Sequence, residues 1–222
     1  MDPKKMFITV FSLGLCLLLQ TKLYAKEVST SELEEIQKKL KSFETLTIDF
    51  TQSKFVKLRP KQSNSLTGKA FLSKPDMFRW ILNRSGGTQE WIYDGKSLIN
   101  YSSDRGDQVS AIRYPSSTTL VQEIREIIDI FLNINALLKK YNVLKSNFEN
   151  DLLSLKLKPK QEFDIVEIDV ELNVKQNVIK TIVLYFKNGN RSTFAFTNPS
   201  NSPLKPGAFS LPPSVKIKDA LK

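Results

Sequence analysis

The spacing of apolar positions changes along the chain, and each change marks a new kind of element. Leu33, Ile36, Leu40 and Phe43 recur three or four residues apart, which predicts an amphipathic helix with these side chains on one face. Ser29 and Ser31 each precede a glutamate by three residues and offer two capping boxes. Glu32, Glu34 and Glu35 come early and Lys38, Lys39 and Lys41 late, as the helix dipole favours. From Leu46 the period becomes two: Leu46, Ile48 and Phe50 alternate with Thr47, Asp49 and Thr51, the signature of a half-buried strand. After a polar stretch from Arg59 to Ser65, strands are expected at Thr67 to Leu72, Met77 to Asn83, Gln89 to Tyr93, Lys96 to Tyr101 and Val109 to Tyr114. Turn residues at Lys74-Pro75-Asp76, Gly86-Gly87, Asp94-Gly95 and Asp104 to Asp107 separate them, giving a meander of about six antiparallel strands.

The alternation breaks after Pro115. Leu120, Ile124, Ile127, Ile128 and Phe131 return to helical spacing, and Ala136, Leu137, Leu138 and Tyr141 predict a second short helix. Strands resume at Asn142 to Phe148, Leu152 to Lys158, Ile165 to Leu172, Val178 to Phe186 and Arg191 to Phe196. A last extended segment holds Val215 and Ile217. The fold class that follows is α+β, a single domain over residues 26–222 whose sheet of about eleven antiparallel strands can curl into an incomplete β-barrel. Helices are the natural cover for its open side.

Phe78 and Trp80 lie two apart, so on a strand they project from one face. With Phe50, Trp91, Phe194 and Phe196 they make one sheet face bulky and aromatic, either as an ordinary core or as the lining of an apolar pocket. Only Phe7 and Phe11 of the 14 phenylalanines fall near the N-terminus; the rest are spread over both halves of the sheet, with few helices to cover them. That favours a ligand site between the strands and the helix Leu120 to Phe131, which acts as packed core or as a lid. The expectation is a space between them that side chains alone do not fill.

Residues 1–25 read as a signal peptide: Lys4 and Lys5 precede an apolar run from Met6 to Leu19, and Ala25 supplies the small residue at the cut. The sole cysteine, Cys16, falls inside that run, so the exported domain has no disulfide. The chain has no histidine, which excludes Ser-His-Asp and Cys-His catalysis and His-ligated zinc. A carboxylate-only hydrolase survives that test, although no pair of acids is singled out by spacing. The net charge of +10 is dispersed along the sequence and reads as solvated surface. Neither a phosphate loop nor a metal motif is present, and the leader argues against nucleic acid as a partner.

The order Phe50-Thr51-Gln52, Gly68, Lys74-Pro75, Phe78-Arg79-Trp80 and Asp94-Gly95-Lys96, behind an amphipathic helix and before Phe209-Ser210-Leu211-Pro212-Pro213, resembles the outer-membrane lipoprotein carrier (LolA) family. The resemblance covers nearly the whole exported chain. It implies a non-enzymatic, monomeric periplasmic chaperone without cofactor or metal, built as an unclosed β-barrel with a helical lid. Acylated lipoproteins would be its cargo, an inner-membrane ABC transporter the donor and an outer-membrane protein the acceptor. It further implies a hydrophobic cavity for acyl chains with Trp80 in its lining; the residue pattern supplies Phe50, Phe78, Trp80, Trp91, Phe194 and Phe196 as its candidate lining and Leu120, Ile124, Ile127, Ile128 and Phe131 as the candidate lid. By the same resemblance Phe78 serves handover and Lys74 latches the lid by hydrogen bonds, with a point charge where an arginine would offer a planar fork. The rival readings are a lipid-binding envelope sensor or adaptor of the same fold, and the carboxylate hydrolase.

Overall fold

The computed structural model describes residues 26–27, 29–39, 43–59, 64–104, 109–114, 128, 130–131, 137–162 and 164–220. Helix α1 (Thr30–Lys39) follows a two-residue strand β1 (Lys26–Glu27). Then come β2 (Thr45–Phe55), β3 (Asn64–Ser73), β4 (Met77–Arg84), β5 (Gly87–Tyr93), β6 (Leu98–Asp104) and β7 (Val109–Tyr114). A short helix α2 (Leu137–Lys140) leads into β8 (Tyr141–Glu149), β9 (Leu152–Pro159), β10 (Ile165–Asn173), β11 (Val178–Phe186) and β12 (Arg191–Ser200), and β13 (Ile217–Asp219) ends the order.

All the strands belong to one 13-stranded sheet in the order β1-β8-β9-β10-β11-β12-β2-β3-β4-β5-β6-β7-β13. The two ends of that order are not paired with each other, so the barrel is incomplete. The strands beyond the eleven expected are the short edges, too brief to show a period. Of the two possible capping boxes at α1, the one at Ser29 forms: Ser29 N–H donates to Glu32 Oε2 at 2.9 Å and Glu32 N–H to Ser29 Oγ at 3.3 Å. This directs Leu33 into the core, where it is 5% exposed.

Cross-strand register fixes the ends of the barrel. Leu46, Leu72, Phe78, Tyr93, Leu98 and Tyr114 pair in one continuous row near one rim. Lys54, Ser192, Leu184, Ile168, Leu157 and Val143 pair in another near the opposite rim. β7 therefore ends at the first rim and β8 begins at the second, and the chain between Tyr114 and Leu137 is an insert in the sheet. Ile128, Ile130 and Phe131 from this insert are helical, and all three are buried in the single hydrophobic core. Leu120, Ile124 and Ile127 lie outside the described residues.

Side chains alternate across the sheet, so the core fills the concave face from Phe148 and Leu153 on one side to Leu98 on the other. The convex face of β3 to β7 is crossed by the segment between β12 and β13. Arg79 on that face ion-pairs with buried Glu90 at 2.7 Å and donates from Nη1 to the Ala208 carbonyl at 3.2 Å. β13 then runs parallel to β7, with Ile217 opposite Ala111.

Candidate functional site

Phe50, Trp80, Phe194 and Phe196 meet on the concave face where β12 joins β2. The Phe50 ring stacks on Trp80 with centroids 4.1 Å apart, and Phe194 meets Phe50 at 6.3 Å and the edge of Trp80 at 5.6 Å. Phe194 and Phe196 lie nearly parallel at 6.2 Å. Phe131 of the insert presents its edge to Phe196 at 4.7 Å and 85°, the geometry favoured by opposed ring quadrupoles. These rings are buried, and Phe50, Trp80, Phe194 and Phe196 form a continuous aromatic floor with Phe131 on top of it.

The stack depends on a glycine. Gly68 is paired directly with Phe50, and a methyl group there would collide with the Phe50 ring and the Ile81 carbonyl oxygen. Gly68 therefore leaves the space into which the Phe50 ring lies down to reach Trp80, which accounts for a glycine behind Phe-Thr-Gln. Asp94-Gly95-Lys96 has an equally local cause. Asp94 Oδ1 accepts the N–H groups of Lys96 and Ser97, both at 2.9 Å, and Gly95 takes the left-handed φ of 89° that the turn needs. Burial works against the Asp94 carboxylate, yet those N–H groups hold its pKa below the usual value. The turn delivers Tyr93, whose ring lies 5.7 Å from Phe78.

The six expected lining residues are not all together. Phe50, Trp80, Phe194 and Phe196 form one cluster. Phe78 is fully buried but pairs with Tyr93 toward the first rim. Trp91 stands next to Trp80 in register, while its half-buried ring turns to Tyr114 at 5.7 Å. Tyr93 and Ile130 belong to the same surface and were not singled out by sequence; Tyr93 could have been found, because it lies two residues from Trp91 on one strand. The described side chains of this cluster pack against one another, and the space expected beneath Leu120, Ile124 and Ile127 lies outside the described residues. A slot of about 10 Å³ lies beneath Phe131, between Phe43, Leu46, Ile48, Ile179 and Pro199, and it has the size of a single water.

Lys74 sits at the first rim, where its Nζ is 2.8 Å from Glu44 Oε1 and its N–H donates to the Glu44 carbonyl at 3.0 Å. The described partner of the expected latch is thus a mostly exposed carboxylate at the start of β2. On the convex face Glu167 and Asp169 stand side by side, but both are tied to Lys156, at 2.6 and 2.9 Å. Hydrogen bonds to these two acids drive the Lys156 pKa well above its usual value. Burial, and then the bond from its hydroxyl to Asp169 at 2.8 Å, raises that of Tyr185. Carboxylates held in this way serve as structural partners of Lys156. Among the described residues, no group of His, Cys, Asp and Glu is arranged to hold a metal ion.

Comparison with known proteins agrees with this architecture. An uncharacterized conserved protein from Thermus thermophilus superposes with a TM-score of 0.50 at 10% identity, covering 85% of this chain and 96% of that one. A LolA-superfamily protein from Nitrosomonas europaea gives 0.44 at 10% identity over 83% and 98% of the two chains. A DUF1329-family protein from Desulfovibrio piger gives 0.45 at 8% over 81% and 95%. The first of these likenesses carries the fold alone. No curated protein matches the sequence. The family model for the outer membrane lipoprotein carrier protein LolA matches residues 41–212, which span β2 to β12 and the insert between them. With this match across most of its length and the unclosed barrel that goes with it, the chain belongs to the LolA family of periplasmic, non-enzymatic lipoprotein carriers.

Proposed function

We propose that this protein carries lipoproteins across the periplasm by sheltering their acyl chains on the aromatic floor of the barrel, in the place that the insert fills when no cargo is bound. The observation that carries this reading is the seating of Phe131 on Phe196. A chain segment anchored at opposite rims, and seated by apolar contacts, can be exchanged for another apolar chain. Burial of Ile128, Ile130 and Phe131 contributes roughly 5–9 kcal/mol gross, and an acyl chain of about fifteen methylenes contributes roughly 12 kcal/mol on the same scale. Terms of similar size let cargo displace the insert and let the insert expel cargo. Loading from an inner-membrane ABC transporter and delivery to an outer-membrane acceptor follow from that balance, with Phe78 and Lys74 at the rim where β7 hands over to the insert.

Mass spectrometry of the protein recovered from the periplasm tests the proposal. Acylated lipoproteins should co-purify with it, and the recovered complex should release them to outer-membrane vesicles. Recovery of phospholipid alone, with no transfer to vesicles, would favour the sensor or adaptor reading instead.

A further inference from the structure

The rim at which β2 ends differs from the rest of the surface in both charge and polarity. Its turns are stitched into one continuous edge: Lys57 N–H donates to Asn190 Oδ1 at 3.1 Å, Lys187 N–H to the Asp164 carbonyl at 2.8 Å, and Lys160 N–H to the Lys140 carbonyl at 3.1 Å. Lys54, Lys57, Arg59, Lys158, Lys187 and Arg191 are exposed along this edge, with Glu162 and Asp164 as acids among them. The opposite rim has the reverse balance, since Glu44, Asp76, Asp94, Glu149 and Asp151 there face Lys74, Lys96 and Lys175. A charge that looks dispersed in sequence is therefore sorted by the fold to one end of the barrel.

The same edge carries exposed apolar side chains. Leu58 projects from the turn after β2 and is 91% exposed, next to Val56 at 36%. Leu144 and Val166 are 52% and 39% exposed. Each is the extra residue of a β-bulge, between Val143 and Lys145 and between Ile165 and Glu167, and each lines an open groove of about 950 Å³ flanked by Lys158, Lys160 and Lys187. Each bulge places two consecutive side chains on the outer face, Leu144 with Lys145 and Val166 with Glu167.

From these features we propose that this rim is a membrane-docking face that rests on anionic phospholipid headgroups with Leu58 inserted between them. Cations around an exposed aliphatic apex fit the two layers of a bilayer surface, phosphates outside and hydrocarbon beneath. An acidic protein or a nucleic acid would match the charge but leave the aliphatic groups in water. This surface lies on the outside of the barrel and is independent of what the barrel carries.

The test is flotation of the periplasmic protein with vesicles of phosphatidylethanolamine and phosphatidylglycerol (3:1), and with vesicles of phosphatidylcholine. Wild-type protein should float with the first and not with the second. Leu58→Ser should weaken partitioning about tenfold, the loss of one buried leucine side chain. Lys57→Ala should weaken it about fivefold, the loss of one cation at the surface. Lys175→Ala at the opposite rim should change nothing, and in Leu58→Trp the indole emission should shift to the blue on the anionic vesicles. The proposal is overturned if wild-type protein does not float, if Lys175→Ala matches Lys57→Ala, or if Leu58→Ser floats like wild type. The last outcome would leave a purely electrostatic face suited to an acidic macromolecule.

Discussion

Replacing Phe131 by alanine removes the ring that caps Phe196 at 4.7 Å from a site where it is 3% exposed. Loss of a buried phenylalanine costs about 3–5 kcal/mol, including the space left behind. If the insert leaves the sheet as a unit, that cost falls on the closed form alone and shifts closure toward the open form by about two to three and a half orders of magnitude, at about 1.4 kcal/mol per decade. An acyl ligand whose affinity is held down by the closed fraction then binds more tightly until the open form predominates. Titration with a fluorescent fatty acid, alongside thermal unfolding, reads both effects. Phe194→Ala is the control, because Phe194 is as deeply buried, at 4% exposed, but belongs to β12. Phe131→Ala should bind the probe at least tenfold more tightly than wild type and lose less stability than Phe194→Ala. Equal stability losses with unchanged probe affinity would show that the insert is ordinary core, and the exchange argument would fall.

Three further outcomes are expected. Gly68→Ala should destabilise by about 1–3 kcal/mol through overpacking, and Phe50→Leu should recover part of the loss in a double-mutant cycle, with no recovery placing the strain at the Ile81 carbonyl alone. Lys74→Leu should lower stability by less than about 1 kcal/mol, since its partner Glu44 has a side chain 82% exposed; a tenfold or larger change in cargo release by this variant, reduced in Lys74→Arg, would identify a latch beyond that ion pair. The Asp49 carboxyl is held below its usual pKa, first by the Asn198 amide and then by Lys69, so its contribution is present above the unfolded pKa near 4 and is lost as pH falls through the lower folded value. Asp49→Asn should flatten that part of the acid unfolding curve, and an unchanged curve would assign the acid transition to other carboxylates.

Much of the sheet can be read from alternation because one face of each strand is apolar. β4 and β9 to β12 begin and end within a few residues of the periodic runs, and the turns fall at Lys74-Pro75-Asp76 and Asp94-Gly95 as expected. Where the concave face turns polar the signal fades. Gln52 is buried on that face and Lys54 lies at its rim, so β2 runs on to Phe55 through residues that resemble a loop. The contact between Phe50 and Phe196 joins strands at opposite ends of the chain, and no local pattern announces it. The docking rim stayed hidden for the same reason: its lysines belong to different turns and share an edge only once every strand has its neighbour. Leu144 and Val166 read as strand interior because a bulge shows no change of composition.

The pairing of β12 with β2 has a consequence for how the protein comes into being. The aromatic floor straddles that junction, so half of it, Phe50 and Trp80, is made before the middle of the chain and half arrives with one of the last strands. Non-local pairing of this kind makes folding slow, because a long loop has to close before its contacts form. On the proposed reading, slowness suits a chain that is exported before it folds. The aromatic floor does not exist until β12 has been made and has paired with β2. The greasy platform is completed only after nearly all of the chain has been delivered, by which time the insert that shields it is present as well.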